Sequence, residues 1–151
     1  MHYIFSQVGF IYRNLIKPIL FKINPETVHE HMTLLGQMLG SSTVIRKIFT
    51  YTLCYKNPDL VQEIAGMKFE NPIGLAAGFD YEARLTQILP FVGFGFETIG
   101  TITNQPYEGN IRPMLGRLPN SKSLMVNKGF KNLGAEKTIQ NSQDHLVMVS
   151  P

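Results

Sequence analysis

Ala76, Ala77 and Gly78 close a short apolar run that begins at Ile73, and a second apolar run closes on Gly100 and Thr101. If both runs are parallel strands, these residues are their carboxyl ends, where α/β sheets and barrels bind ligands. Side chains this small let a flat ring system approach the backbone, and the Thr101 hydroxyl offers it a hydrogen bond. The plainer alternative is that they only permit close strand–helix packing. A second polar, glycine-punctuated cluster, Asn127, Lys128, Gly129, Phe130 and Asn132, has side-chain amides to offer a small ligand. An ordinary turn is its alternative.

Other chemistry is sparser. Arg117 follows a loop and suits an anion or a quinone oxygen, although exposed arginines usually serve neither. His29 and His31 lie two apart on a predicted helix and so face different sides, which argues against a shared metal. Gly93-Phe94-Gly95-Phe96 does not fit a phosphate-cradling glycine fingerprint, so a dinucleotide-binding reading fails. No serine, histidine and carboxylate grouping and no metal motif stands out.

The elements that must position these residues are legible around them. Residues 73–77 form an apolar run too short for a helix, flanked by Pro72 and Gly78, and predict a buried strand. Asp80 is placed to cap a helix carrying Leu85, Ile88, Leu89 and Val92, which Pro90 should end. Residues 94–102 are again strand-like. Two buried parallel strands need helices over both faces or a closed barrel, which makes this an α/β domain.

The 151 residues suffice for one domain, and 44% hydrophobic with 17% charged content excludes a wholly disordered chain. With 14 basic against 11 acidic residues and no long run of cations, nucleic-acid binding has no support. Cys54 stands alone, so there is no internal disulfide or zinc set, and a reducing compartment is compatible.

Residues 3–23 place Ile4, Phe5, Val8, Ile11, Leu15, Ile16 and Ile19 at helical spacing with Arg13, Lys17 and Lys22 among them, an amphipathic helix with a kink or stop at Pro18. The charges interrupt the apolar run before it can span a bilayer. They also follow the first apolar stretch, unlike those of a signal peptide. Such a helix suits a membrane interface or packing on its own domain. Asn24, Pro25 and Glu26 open a second helix with Val28, Met32, Leu35 and Leu39 on one side, ending at Gly40. A short helix with Val44, Ile45, Ile48 and Phe49 follows, then a hairpin about Ala65-Gly66. Residues 103–120 carry too much proline and glycine for a regular element. A short strand is expected at 124–126, and a turn opening a helix at 128–135. Residues 140–151 are polar, then abruptly apolar at Leu146, Val147, Met148 and Val149.

FKINPETVH (21–29), MKFENPIGLAAGFD (67–80), GFGFETIGTITNQPYEGNIRPMLGRLP (93–119) and NKGFKNLGA (127–135) together resemble the quinone-dependent, class 2 dihydroorotate dehydrogenases, in register over residues 15–139. The resemblance implies an α/β fold, the N-terminal part of a (β/α)8 barrel preceded by an amphipathic, membrane-associating helical hairpin. It further implies oxidation of dihydroorotate to orotate in pyrimidine synthesis, with FMN passing electrons to a membrane quinone. By position, Ala76, Ala77, Gly78 and Thr101 match flavin contacts. Asn127, Gly129 and Phe130 match the substrate loop, and His29 and Arg117 the quinone path. The division expected is a membrane and quinone module at 1–57, the first part of the FMN-binding barrel at 58–139 and an atypical tail at 140–151. The location implied is peripheral, at the cytoplasmic face of the inner membrane in a bacterium.

Three departures qualify this. Tyr81 stands where the family has a lysine after the aspartate of its GFDK motif, removing a cation near flavin and substrate. Val126 stands where the substrate loop has an asparagine three residues before its Gly-Phe, with Asn127 one position late. The resemblance fades after Ile139, and a (β/α)8 barrel takes about 250 residues, so the family's catalytic serine is expected beyond this sequence and no catalytic residue is assigned. Alone, the chain is expected to be an inactive portion of the enzyme. The alternatives are a non-catalytic membrane-surface module or an FMN barrel oxidoreductase with another substrate.

Overall fold

The computed structural model describes residues 2–142 and 147–149. Of the predicted apolar positions, Leu146 and the side chains of Ile4, Phe5, Val147, Met148 and Val149 lie outside what it describes. The chain divides into two compact units, residues 1–32 with 110–128, and residues 33–109 with 129–151.

In the first unit, α1 (His2–Ile11) runs through a π-helical turn (Tyr12–Ile16) into α2 (Lys17–Leu20). The break expected at Pro18 is instead a change of helical register. Pro18 lacks an N–H and its ring crowds the preceding turn. The wider turn, in which the Lys17 N–H donates to the Tyr12 carbonyl, absorbs that mismatch and the helix continues. α3 (Pro25–Ser41) starts as its sequence predicts, with Asn24 Oδ1 accepting from the Glu26 N–H at 2.8 Å. Residues 110–128 carry the antiparallel pair β5 (Leu115–Leu118) and β6 (Ser123–Val126), Leu115 opposite Val126. β6 was expected; β5 falls inside the stretch expected to be irregular. Pro119 lies just past β5 at the turn, and Gly116 gives room to Met125, whose Cε would stand 3.0 Å from a Cβ there.

The second unit takes the rest of α3, then α4 (Thr43–Leu53), the hairpin β1 (Gln62–Ile64) with β2 (Met67–Phe69), and a parallel sheet. That sheet places β4 (Phe96–Ile99) between β3 (Gly74–Leu75) and β7 (Val147–Val149). α5 (Ala135–Asn141) precedes β7 in the chain. Successive parallel strands lying side by side is the arrangement of the (β/α)8 barrels. The core gathers Leu85, Ile88 and Leu89 with Leu39, Phe49, Leu75, Val92 and Phe94. α3 lies close over it at Gly40, where a Cβ would approach Gln87 and Ile88 to 3.2 Å.

The helix expected from Asp80 to Pro90 does not form. Ala83, fully buried, adopts φ +56° and interrupts any helix there. The Asp80 carboxylate caps what remains, accepting from the Arg84 N–H at 2.9 Å and the Leu85 N–H at 2.5 Å. One turn follows, with the Leu89 N–H on the Leu85 carbonyl, then a 3₁₀ turn (Leu89–Val92) that has Pro90 at its start and Gly93 at φ +102° at its end. The stripe of Leu85, Ile88 and Leu89 was therefore read correctly as core and wrongly as a helix.

Candidate functional site

β3 ends at Leu75, and Ala76, Ala77 and Gly78 continue from it exposed. Gly78 takes φ +96°, a conformation open to glycine, and a Cβ there would meet nothing within 4 Å. The backbone at Gly78 is thus left uncovered by neighbouring side chains. β4 ends at Ile99; Gly100 is buried and Thr101 half-buried, with a cis peptide bond between them.

The loop from Gly129 is tied to the chain leaving β4 through one buried side chain. Asn132 Oδ1 accepts from the Gly134 N–H at 2.8 Å and from the Thr103 N–H at 3.3 Å. Its Nδ2 donates to Thr103 Oγ1 at 2.8 Å and to the Phe130 carbonyl at 2.7 Å. Its backbone pairs with Tyr107 in both directions at 3.0 Å. Sequence reading placed Asn132 in a polar cluster but gave it no such task, because a side chain that bonds across the fold leaves no local pattern. Around this anchor Gly129 adopts φ +63° and Phe130 stands 64% exposed. The Lys131 ammonium lies over the Tyr81 ring, 5.8 Å from its centroid. Tyr81 belongs to the loop after β3, so the 129–134 loop reaches the carboxyl ends of both β3 and β4. The second unit therefore brings Ala76, Ala77, Gly78, Thr101, Gly129 and Phe130 to one end of its sheet.

The remaining predicted residues lie in the first unit. Asn127 is exposed at the end of β6, its N–H on the Met114 carbonyl at 2.7 Å and its Oδ1 accepting from Asn110 Nδ2 at 3.1 Å. His29 is half-buried on α3, and His31 is exposed, with its Nδ1 2.7 Å from the Thr27 carbonyl. Arg117 donates through Nη1 to the Ile23 carbonyl at 2.6 Å and lies 4.6 Å over the Phe21 ring, closing the end of α2. Glu26 does more than favour its helix dipole. Its Oε1 accepts from the Met114 N–H at 2.6 Å, which holds the carboxyl below its ordinary range, assisted by the Leu115 N–H and Arg112 and opposed by burial.

Behind the sheet end, two buried acids meet. Glu97, on β4, is hydrogen-bonded to Asp80, and burial followed by the Asp80 charge pushes its carboxyl up to about 9. It is therefore a neutral acid at neutral pH, donating to a carboxylate already committed to backbone N–H groups. Sequence reading passed over Glu97 because it sits in a strand-like run. A cavity of about 550 Å³, lined by Cys54, Lys56, Asn71 and Phe94 among others, opens instead at the amino ends of β3 and β4. None of the residues predicted for a site is among those lining it.

Residues 59–149 match the family model described as dihydroorotate dehydrogenase. A dihydroorotate dehydrogenase (quinone) of Christiangramia forsetii is 37% identical over 133 residues, covering 85% of this chain and 38% of that one. One of Cellvibrio japonicus is 39% identical over 132 residues, covering 87% of this chain and 35% of that one. Among solved structures, ligand-free DHODH from Eimeria tenella aligns with a TM-score of 0.66 and 27% identity, covering 84% of this chain and 36% of that one. The chain thus spans little more than a third of the length of these relatives. The match continues past Ile139 to residue 149, where β7 takes its place beside β4.

Proposed function

The chain belongs to the dihydroorotate dehydrogenase family, and from that premise we propose that it serves the quinone-dependent reaction, oxidation of dihydroorotate to orotate in pyrimidine biosynthesis. The observation that carries this is the open small-residue face at the end of β3, with the 129–134 loop anchored beside it through Asn132 and Thr103.

In this reading Ala76, Ala77, Gly78 and Thr101 hold FMN, the first three by leaving its ring room against the backbone and Thr101 by a hydroxyl hydrogen bond. FMN held there would supply the two-electron acceptor that oxidation of the substrate needs. Gly129 and Phe130 present backbone and ring to the substrate. The Asn132 network keeps the loop from relaxing away from the strand ends, which is how a loop can orient a substrate.

The first unit is assigned to the membrane and the quinone. Val8, Phe10, Leu15 and Ile19 are 59%, 62%, 61% and 56% exposed on α1 and its continuation, with Arg13, Lys17 and Lys22 exposed among them. Among the described residues no helix is long and apolar enough to cross a membrane. A helix pair lying in the interface suits this composition, with the protein peripheral on the cytoplasmic face of the inner membrane if the source is a bacterium. His29 and Arg117 are assigned to the quinone path.

The purified protein tests the reading directly. It should take up a flavin that chromatography of the released cofactor identifies as FMN. A protein that stays colourless after incubation with FMN contradicts it.

A further inference from the structure

We infer that the cavity at the amino ends of β3 and β4 is a second binding site, for a small planar organic anion of the aryl carboxylate class, with Lys56 as its counter-ion. The inference does not depend on the flavin reading, because the flavin face lies at the other end of the same strands.

Three observations carry it. The first is a preformed shape. The cavity has a volume of about 550 Å³, within the range of small-molecule sites, and the segments around it are tied together. The Cys54 thiol, at the end of α4, donates to the Pro90 carbonyl at 3.4 Å. Asn71 fastens the segment before β3, its Nδ2 donating to the Gly93 carbonyl at 3.2 Å and its Oδ1 accepting from the Ile73 N–H at 2.9 Å. The Gly95 N–H adds a bond to the Ile73 carbonyl at 2.8 Å. Walls held in this way lose little further freedom when a ligand enters.

The second is an excess of donors over acceptors. Both polar atoms of Asn71 are used, and the Pro90 and Gly93 carbonyls each have a donor already. Asn57 Oδ1 accepts from the Asp59 N–H at 3.1 Å, which leaves its Nδ2 to donate. Glu70, the carboxylate of the lining, is engaged with Lys68 at 2.9 Å. Burial pushes the Cys54 thiol up, against the Lys56 charge, so the thiol adds no negative charge. Lys56 itself is exposed, lines the cavity and belongs to none of the ion pairs among the described residues. What the site has left to offer is an ammonium and an amide N–H, the complement of an anion.

The third is aromatic surface. Phe91 and Phe94 line the same cavity, and the Arg46 guanidinium lies 5.3 Å from the Phe91 ring centroid, adding positive charge beside it. A cation beside two rings selects a ligand that is flat and apolar over its body and negative at one end.

The test is amide NMR of the full chain titrated with 2-naphthoate, and with 2-naphthamide as the same rings without the charge. Saturable shifts of the Asn71, Gly93 and Gly95 amides by 2-naphthoate are expected. Lys56→Met, at an exposed position that should not disturb folding, should weaken 2-naphthoate about tenfold or more and leave 2-naphthamide within about twofold. Lys56→Arg should keep most of the 2-naphthoate affinity. No saturable shift at those three amides, or shifts confined to other parts of the chain, overturns the site. Equal 2-naphthoate affinity in the wild type and Lys56→Met, or an equal loss of both compounds in that variant, overturns the assignment of an anion to Lys56.

Discussion

Asn132 and Thr103 are joined twice, Asn132 Nδ2 to Thr103 Oγ1 at 2.8 Å and the Thr103 N–H to Asn132 Oδ1 at 3.3 Å, and the second of these residues lies just past the end of β4. The pair fastens the loop that carries the proposed substrate residues to the strand that carries Thr101. Because Asn132 is buried, removing its amide leaves the Gly134 N–H without its Oδ1 acceptor and the Phe130 carbonyl without its Nδ2 donor. Asn132→Ala should cost about 2–4 kcal/mol in urea denaturation, with amide exchange accelerated over residues 129–134. Unchanged exchange there would show that the loop is held by something else.

Glu97 makes stability depend on pH in a definite direction. Its folded pKa, about 9, lies above its ordinary value near 4.5, so the folded state holds a proton that the unfolded state has released. That contribution is complete below the unfolded value and is lost as pH rises through about 9. The melting temperature should therefore fall across that interval. Glu97→Gln keeps a donor for Asp80 without an ionisable proton, and should flatten the slope. Identical slopes in the two proteins would contradict the buried-acid assignment.

Glu26 works in the opposite sense. Backbone N–H groups of Met114 and Leu115 hold its carboxyl below the ordinary 4.5, so its contribution is present above that value and is lost as pH falls through the depressed one. Glu26→Ala should destabilise the β5–β6 hairpin by about 1–3 kcal/mol at neutral pH, read as faster amide exchange at Met114 and Leu115. Unaltered protection at both amides would rule out the tie.

The exposed apolar stripe of the first unit predicts binding to lipid. Replacing Leu15 and Ile19 by glutamate places two charges on it and should abolish flotation of the protein with anionic vesicles, leaving its circular dichroism unaltered. Flotation equal to that of the wild type would remove the interfacial assignment.

How far the sequence carried these conclusions differs by element. The cap at Asn24 and Pro25 and the hairpin at Ala65-Gly66 were legible because their signals are local: a side chain bonding two residues on, and backbone at φ 52° and 77°. The small residues past the strand ends, Ala76–Gly78 and Thr101, were legible as a pattern, and the motifs around them indicated the family; the strands themselves are shorter than the apolar runs 73–77 and 94–102, and the first is half-buried, not buried as expected. The helix after Asp80 was misread because apolar spacing cannot reveal a left-handed residue at Ala83. β5 was missed because Gly116 and Pro119 look like breakers until Met125 and the turn are seen. Tyr81 read as the loss of a cation; the ammonium above it comes from Lys131, far along the chain, a contact that no periodicity encodes. The Glu97–Asp80 pair escaped notice for the same reason.

The central claim is that the small residues at the end of β3 form one wall of a flavin site. Quenching of FMN fluorescence on titration with the protein tests it most directly, comparing the wild type with Ala76→Leu/Ala77→Leu. Both alanines are exposed, so the added bulk should leave the core intact and occupy the face meant for the ring. Saturable quenching by the wild type, with affinity at least about tenfold weaker in the double variant, is the predicted result. No quenching by the wild type, or equal affinity in both proteins, would contradict the account.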